Sequence, residues 1–279
     1  MVPLLLILYW GSVPLALVGA FIAVVGVTEF YNGWEALGVK PSKKIAYAMI
    51  ALLYIGHFFL FYVVRQDSFI GGRVLSDAAN EQMGGLGVAV MQPQLLMLWL
   101  VLAIVAAMIY GWKIDDRGPY DAIATVVGLV YVVFFSYHIV LLDRTAVGFV
   151  FTWTVILASF GSDIMAYFTG YLIGKHKLAP VLSPKKTIEG AIGGVVGAGL
   201  LCGIYGAIFA KEYILQCVFI GIVGGAFSQA GDLTASAFKR KMGIKDYGNL
   251  IPGHGGIMDR FDSVIFVAPF VYYLVLFTV

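Results

Sequence analysis

One 27-residue segment, residues 236–262, holds the side chains best suited to chemistry, and we call it the signature segment. In a chain that is 61% hydrophobic and only 12% charged, it carries eight of the 18 basic and 16 acidic residues. These eight are Lys239, Arg240, Lys241, Lys245, Arg260, Asp246, Asp259 and Asp262. Basic side chains bind phosphates, and carboxylates bind the metal ions that accompany phosphates. Because apolar stretches flank the segment, the mixture indicates phosphoryl or nucleotidyl chemistry on a lipid.

An apolar helix predicted to begin near residue 213 leads into the signature segment. If this helix continues past residue 235, four polar residues at i, i+4, i+7 and i+8 share one face. They are Asp232, Ser236, Lys239 and Arg240. Lysines that flank a membrane span are ordinary, but a carboxylate at the centre of a bilayer costs roughly 2.5–3.5 kcal/mol. Asp232 is therefore predicted to be functional, within a site for a metal-bound phosphate chain.

The signature segment continues through a glycine-rich turn, Pro-Gly-His-Gly-Gly, into its last acids. Gly255 and Gly256 let the backbone approach a ligand and present N–H groups to phosphate oxygens, and His254 either donates to a phosphate or braces the turn. Asp259 and Asp262 stand at i and i+3, so both can face one side of the last helix. Complementation of the helix dipole favours acids there by roughly 0.3–1 kcal/mol, which explains one acid better than two.

A second basic cluster precedes another glycine-rich helix, which is predicted to begin near residue 188. Ser183 and Pro184 are interpreted as its N-cap and first helical residue. Lys185 and Lys186 would then oppose the helix dipole, which makes sense if an anion lies beside them. The excess of positive charge on cytoplasmic loops accounts for the same lysines, so both interpretations stay open.

Asp163 is a further carboxylate within an apolar stretch, with Tyr167 four residues later. Acids inside a membrane span are functional by default, and a hydrogen bond between helices is the alternative.

Composition predicts an all-α, polytopic integral membrane protein. The mean hydropathy is +0.91, and apolar runs of about 20 residues match the thickness of a bilayer. Cys202 and Cys217 lie in or beside such runs and are interpreted as small hydrophobic residues rather than a disulfide or a metal pair. About nine apolar helices are expected, at residues 2–10, 13–33, 44–64, 95–111, 122–141, 148–172, 188–209, 213–235 and 262–279.

The first two of these helices are expected to be short or kinked. Residues 2–10 are too few to cross a bilayer alone, and Gly11 and Pro14 break the run. They form either a bent pair or one kinked span. A signal peptide is not expected, because the start lacks basic residues and apolar sequence resumes after the break. Residues 65–94 are interpreted as a connector with a short interfacial helix.

The distribution of basic residues predicts the orientation. Fourteen of the 18 Lys and Arg residues fall in or beside four loops, and this bias places those loops in the cytoplasm. The loops are 34–43, 112–121, 173–187 and 236–261. The active site is therefore expected at the cytoplasmic face of the C-terminal helices. Residues 1–145 are predicted to be N-terminal transmembrane helices, and residues 146–279 the catalytic region.

These motifs together resemble the phosphatidate cytidylyltransferase (CDP-diacylglycerol synthase) family. The resemblance rests on Ser-x-x-Lys-Arg-x4-Lys-Asp-x-Gly from Ser236 and on Pro-x-His-Gly-Gly-x-x-Asp-Arg-x-Asp from Pro252. It extends upstream through the motifs around Asp232 and Lys186 to Asp163.

The resemblance covers residues 160–265, and the N-terminal half matches only as a string of apolar helices. Two positions depart from the family pattern. Tyr171 stands where Arg is frequent, and Ile188 where an aromatic residue is common.

The resemblance implies that CTP and phosphatidic acid give CDP-diacylglycerol and pyrophosphate, with Mg²⁺ as cofactor and a second cation left open. Since both substrates are anionic, metal ions and basic side chains would offset their repulsion. The implied metal ligands are Asp232, Asp259, Asp246 and Asp262. The implied catalytic residues are Asp232, Asp259, Lys239 and Arg240. The implied substrate-binding residues are Lys185, Lys186, Ser236, Lys245, His254, Gly255, Gly256 and Arg260.

The expected partners are CTP, phosphatidic acid and membrane lipids, with no nucleic acid and with a homodimer as the oligomer. The expected location is the inner membrane of a bacterium. One alternative is a CTP-dependent kinase of a polyprenol, which the completeness of the signature disfavours. Another is an ion-coupled transporter using Asp163 and Asp232, which is disfavoured because the sequence shows no repeated halves.

Overall fold

The structure, a computed structural model, describes residues 12–70, 77–113, 115–145, 147–250, 253 and 255–278. It is almost entirely helical, as predicted. The α-helices are α1 (Ser12–Glu35), α2 (Lys43–Ile70), α3 (Asp77–Tyr110), α4 (Pro119–Gly128), α5 (Phe135–Asp143), α6 (Gly148–Ile173), α7 (Ile188–Phe209), α8 (Ile214–Met242) and α9 (Met258–Thr278). A π-helical segment, Leu129–Phe134, joins α4 to α5, and a 3-10 turn, Lys211–Tyr213, precedes α8.

Seven stretches among the described residues are long and apolar enough to cross a membrane. They are Val13–Glu35, Pro93–Tyr110, Pro119–Asp143, Gly148–Ile173, Ile188–Phe209, Lys211–Met242 and Met258–Thr278. All seven coincide with predicted spans, and α2 covers an eighth. The proposed span at residues 2–10 lies outside the described residues, so the count of about nine stays a prediction.

The interpretation of residues 65–94 as a connector was wrong for most of its length. Helix α2 extends to Ile70, and α3 already begins at Asp77. Several glycines and Pro93 lie within α3. Glycine in a helix costs about 1 kcal/mol relative to alanine, which is why the sequence indicated a loop there.

The structure forms two compact units. The smaller unit, residues 40–130, contains α2, α3 and α4. Within it the indole Nε1 of Trp99 donates to the carbonyl of Met49 at 2.8 Å, and this bond joins α3 to α2. The carboxylate of Asp121 accepts from the backbone N–H of Lys40 at 2.6 Å and so anchors the start of the unit to α4.

The larger unit contains the described residues up to Val39 and those from Tyr131 onward. Its centre is formed by α6, α7 and α8, which pack closely because glycine and alanine line their contacts. The side-chain amide of Gln229 on α8 donates to the carbonyl of Ala191 on α7 at 2.8 Å and to the hydroxyl of Ser162 on α6 at 3.3 Å. These two hydrogen bonds hold α6, α7 and α8 together. They also fix two nearby acids, Asp163 beside Ser162 and Asp232 one turn after Gln229.

A short antiparallel hairpin, β1 (Lys177–Ala179) and β2 (Ser183–Thr187), connects α6 to α7. The prediction that Ser183 and Pro184 cap α7 was wrong. Thr187 is the N-cap, and its hydroxyl accepts from the backbone N–H of Gly190 at 3.1 Å. Lys185 and Lys186 therefore lie on a strand and not in a first helical turn.

The close contact between α7 and α8 generates a stability prediction. A Cβ added at Gly221 would lie 2.5 Å from the carbonyl oxygen of Ala198 and 2.7 Å from Cα of Gly199, which are backbone atoms that cannot turn aside. We expect Gly221→Ala to destabilise the protein by about 1–3 kcal/mol and to lower the midpoint of thermal unfolding in detergent. Gly56→Ala is the matched control, because open space surrounds that position. Equal midpoints for the two variants would contradict the close packing.

Candidate active site

A polar cleft opens where α6 and α8 meet the hairpin and the start of α7. It has a volume of about 620 Å³ and opens to solvent. Its polar and charged lining residues are Asp163, Tyr167, Tyr171, Lys177, Ser183, Lys185, Lys186, Thr187, Gln229 and Asp232. Ligand pockets usually span about 300–1,000 Å³, so the cleft has room for a ligand with several charged groups.

Lys186 and Asp232 form an ion pair across this cleft, between β2 and α8. The side chains remain 26% and 27% exposed, respectively. Lys185 lies on the same strand with an exposed side chain. The structure thus brings together residues that the sequence analysis placed in separate clusters. A phosphate entering the cleft would meet Lys185 directly and could compete with Asp232 for Lys186.

Two further carboxylates, Asp163 and Asp262, lie within electrostatic range of Asp232. The charges of Asp163 on α6, Asp232 on α8 and Asp262 on α9 act on one another. The hydroxyl of Ser263 donates to Asp163, and the side chain of Asp262 is buried. Because like charges repel, these carboxylates depend on nearby cations. Lys186 is the cation that acts on Asp163, and Lys239 is the cation that acts on Asp262.

Asp259 organises the signature segment. It accepts from Nζ of Lys239 at 2.7 Å, from the N–H of Tyr247 at 2.8 Å and from the N–H of Gly256 at 3.0 Å. The side chain of Asp259 is only 3% exposed, and that of Lys239 is 13% exposed. The phenol of Tyr247 donates to the carbonyl of Ala235 at 3.2 Å, and burial raises its pKa well above the usual range.

The N–H of Gly256 donates to Asp259, and the predicted contact of this glycine with a phosphate stays a prediction. Gly255 adopts a φ of +82°, a left-handed conformation that glycine tolerates, so the turn needs a glycine there. His254 lies outside the described residues. Its predicted role stays a prediction.

The other predicted residues on and after α8 take separate directions. Helix α8 does continue to Met242, as the shared-face argument required. Arg240, however, donates from Nε to the carbonyl of Leu182 in the hairpin at 3.4 Å. Ser236 is partly buried, whereas the remaining residues of this set are exposed. These are Lys245, Asp246 and Arg260.

Sequence reasoning missed Glu29. This carboxylate on α1 accepts from the N–H groups of Ile257 and Met258, where α9 begins. The available signal was an acid inside an apolar 23-residue stretch whose other acid, Glu35, is its last residue. Nothing in the spacing indicated a partner more than 200 residues away.

The donor chemistry of the acidic group fits Mg²⁺. This ion prefers oxygen ligands and is usually held by one or two carboxylates together with substrate phosphates. Asp232 and Asp262 provide such carboxylates. No group of three or more His, Cys, Asp or Glu side chains in the described part of the chain is arranged to hold a metal ion by itself. The site therefore suits an ion that arrives with a phosphate ligand, and the ligand roles of Asp259 and Asp246 stay predictions.

Lysines and carboxylates that meet at a cleft among apolar helices suit the class of membrane proteins that bind polyanions. Within that class, comparison with known proteins identifies the family. The family model described as the cytidylyltransferase family matches residues 1–278, so the chain belongs to this family.

Three similar proteins illustrate the relationship, each named phosphatidate cytidylyltransferase. The protein of Bacillus subtilis is 36% identical over 189 residues, which cover 67% of this chain and 69% of the relative. That of Staphylococcus saprophyticus is 48% identical over 110 residues, or 39% of this chain and 42% of the relative. That of Synechocystis is 47% identical over 116 residues, or 41% and 39%. For the last two, the matched region spans about two fifths of the relative's length.

The buried pair of Lys239 and Asp259 generates a prediction. Removing one partner of a buried ion pair leaves an uncompensated charge and costs about 3–5 kcal/mol. We therefore expect Lys239→Met to lower the midpoint of thermal unfolding in detergent markedly. The control is Lys241→Met, because Lys241 is an exposed lysine on the same helix. Its midpoint should stay near that of the unmodified protein. If the two variants have the same midpoint of thermal unfolding, Lys239 does not stabilise the fold.

Proposed function

We propose that this protein transfers the cytidylyl group of CTP to phosphatidic acid, forming CDP-diacylglycerol and pyrophosphate in phospholipid biosynthesis. The observation that carries the proposal is the cleft in which Lys186 pairs with Asp232 beside Asp163. It combines groups for a triphosphate with carboxylates for its counter-ion, at the ends of apolar helices that would lie among lipids. Membership of the cytidylyltransferase family and the names of the relatives support the same reaction.

The reaction consists of one displacement at phosphorus. An oxygen of the lipid phosphate forms a bond to the α-phosphorus of CTP, and the bond from that phosphorus to the oxygen bridging to the β-phosphorus breaks. Pyrophosphate leaves with that electron pair. The lipid phosphate is already ionised near neutral pH, so it needs no covalent enzyme intermediate and little help from a base. Catalysis then depends on alignment and on neutralising charge.

The residues of the cleft and of the signature segment would divide this work. Lys185 and Lys186 would attract the anionic substrates and hold a phosphate group. Asp232 and Asp262 would hold Mg²⁺, which supplies charge neutralisation on the triphosphate when bound. Lys239 would act through Asp259, since that pair sets the shape of the signature segment. Arg240 and Arg260 remain candidates for a phosphate contact.

The proposal includes a setting. The bias of basic residues supports a cleft that faces the cytoplasm, where CTP is found. Bacterial relatives support the inner membrane as the location. The proposed oligomer is a homodimer, because two-fold assemblies are the commonest kind.

The test is product formation by purified protein in detergent with α-labelled CTP, phosphatidic acid and magnesium. Label should enter the lipid phase with the unmodified protein and not after EDTA treatment. Asp232→Asn and Asp259→Asn should each reduce transfer by about 100-fold or more, because each removes charge that alignment requires. Asp116→Asn, an exposed acid that pairs with Lys113 in the smaller unit, is the control and should transfer normally.

Two outcomes would replace the proposal. Label that stays in water while γ-labelled CTP marks a polyprenol would indicate a lipid kinase. Absence of transfer from both labels, in membranes as well as in detergent, would exclude both enzymes and favour an ion-coupled transporter.

A further inference from the structure

Glu29 is a carboxylate from the apolar helix α1 that reaches the start of α9. Its side chain is buried, and the residue is 7% exposed. Its Oε1 accepts from the N–H of Ile257 at 3.1 Å, and its Oε2 accepts from the N–H of Met258 at 2.8 Å. Both oxygens are thus used by adjacent backbone groups at the beginning of one helix.

This arrangement is a helix cap supplied by a distant part of the chain. The first N–H groups of a helix have no partner within the helix. Capping groups usually come from the residue just before the helix, whereas Glu29 is 228 residues away from Ile257. A carboxylate also complements the positive end of the helix dipole. The acid therefore fixes the position and direction of α9 at its first turn.

Two glycines of the signature segment leave space for the side chain of Glu29. A Cβ at Gly248 would lie 2.7 Å from Cδ of Glu29 and 3.0 Å from its Cγ, and a Cβ at Gly256 would collide with both carboxylate oxygens. The segment thus approaches Glu29 from two sides at positions that lack side chains.

Aromatic packing holds α1 in place beside the cap. The ring of Phe30, the next residue, is fully buried. Its centroid lies 5.4 Å from that of Phe238 on α8 and 5.8 Å from that of Tyr247 in the signature segment. Since Tyr247 also donates its N–H to Asp259, α1 contacts the same scaffold through two independent interactions.

We propose that Glu29 is a positioning residue for the reaction, and that it sets where Asp259 and Asp262 stand by capping α9. Asp259 follows Met258 directly, and Asp262 lies one turn further along the same helix. A displacement of about 1 Å in a group that aligns substrates can reduce the rate by about 100-fold. The proposal rests on the proposed cytidylyl transfer for its catalytic consequence, but the cap itself is measurable without it.

The first experiment compares Glu29→Gln with Glu35→Gln in full-length protein in detergent. Glutamine has the size of glutamate but only one acceptor oxygen, so one N–H loses its partner and the charge is lost. For the folded fraction of Glu29→Gln we expect kcat to fall about tenfold. The KM for CTP should change little, and half-maximal activity should require more magnesium. Glu35, an exposed acid on the same helix, should give unmodified values.

The second measurement is hydrogen exchange of residues 256–262 by mass spectrometry. The amides of Ile257 and Met258 should exchange faster in Glu29→Gln than in Glu35→Gln. A residue that only supports the global fold would lower the unfolding midpoint but leave the kcat of the folded molecules and the magnesium requirement unchanged. That result, or unchanged exchange, would overturn the proposal.

Gly248→Ala tests the cap from the other side, in case Glu29→Gln does not fold. Its methyl group should displace the carboxylate from the two amides, and so reduce kcat and speed exchange at residues 256–262. In the double variant Glu29→Gln/Gly248→Ala, the fold reduction in kcat should be smaller than the product of the reductions in the two single variants, because both substitutions act on one contact. A reduction of kcat in the double variant that equals this product would overturn the proposal. An unmodified kcat in Gly248→Ala would also overturn it.

The two proposals fail in different ways. If the unmodified protein shows no cytidylyl transfer, the proposed function fails, and hydrogen exchange still decides whether Glu29 caps α9. If transfer is present and Glu29→Gln retains the unmodified kcat, magnesium requirement and exchange, only the positioning role fails.

Discussion

The larger unit depends on the neutralisation of carboxylates that lie among apolar helices. An unpaired acid in such surroundings is costly. Asp232 is paired with Lys186, Asp259 with Lys239, and Glu29 with two backbone N–H groups. In each pair the two partners come from different elements. The interactions that make the acids tolerable therefore also determine how the hairpin, α1, α8 and α9 are placed.

The acids can meet because the helices that carry them approach closely. Helices in a membrane gain little from apolar contact with one another, so small residues and interhelical hydrogen bonds decide their packing. Glycines such as Gly194 and Gly221 remove side chains from the contacts of α7. Gln229 then joins α8 to both α6 and α7 one turn before Asp232. The chemistry of the cleft is thus a consequence of backbone proximity, and a larger residue in the interface would separate the charged groups without altering any of them.

The sequence predicted the helices and the charged residues better than it predicted the pairing among them. Hydropathy located α6 to α9, because an uninterrupted run of about 20 apolar residues is typical of a helix that crosses a bilayer. The rarity of Asp in such spans identified Asp232. The strand β2 was missed because Ser-Pro before a glycine-rich helix is also a common way to begin a helix. The cap from Glu29 and the bond from Tyr247 to Asp259 join positions whose proximity no local spacing encodes.

The contact between α1 and α9 has a consequence for biosynthesis. A chain that grows at roughly 5–20 residues per second needs on the order of 10–50 s to add the 228 residues that separate Glu29 from Ile257. Throughout that interval the acid is within an inserted or inserting helix while its partners have yet to be translated. This contact therefore forms only after α9 begins to be translated, and a nascent chain interrupted before α9 carries the lysines of the cleft without the helix that bears Asp259 and Asp262.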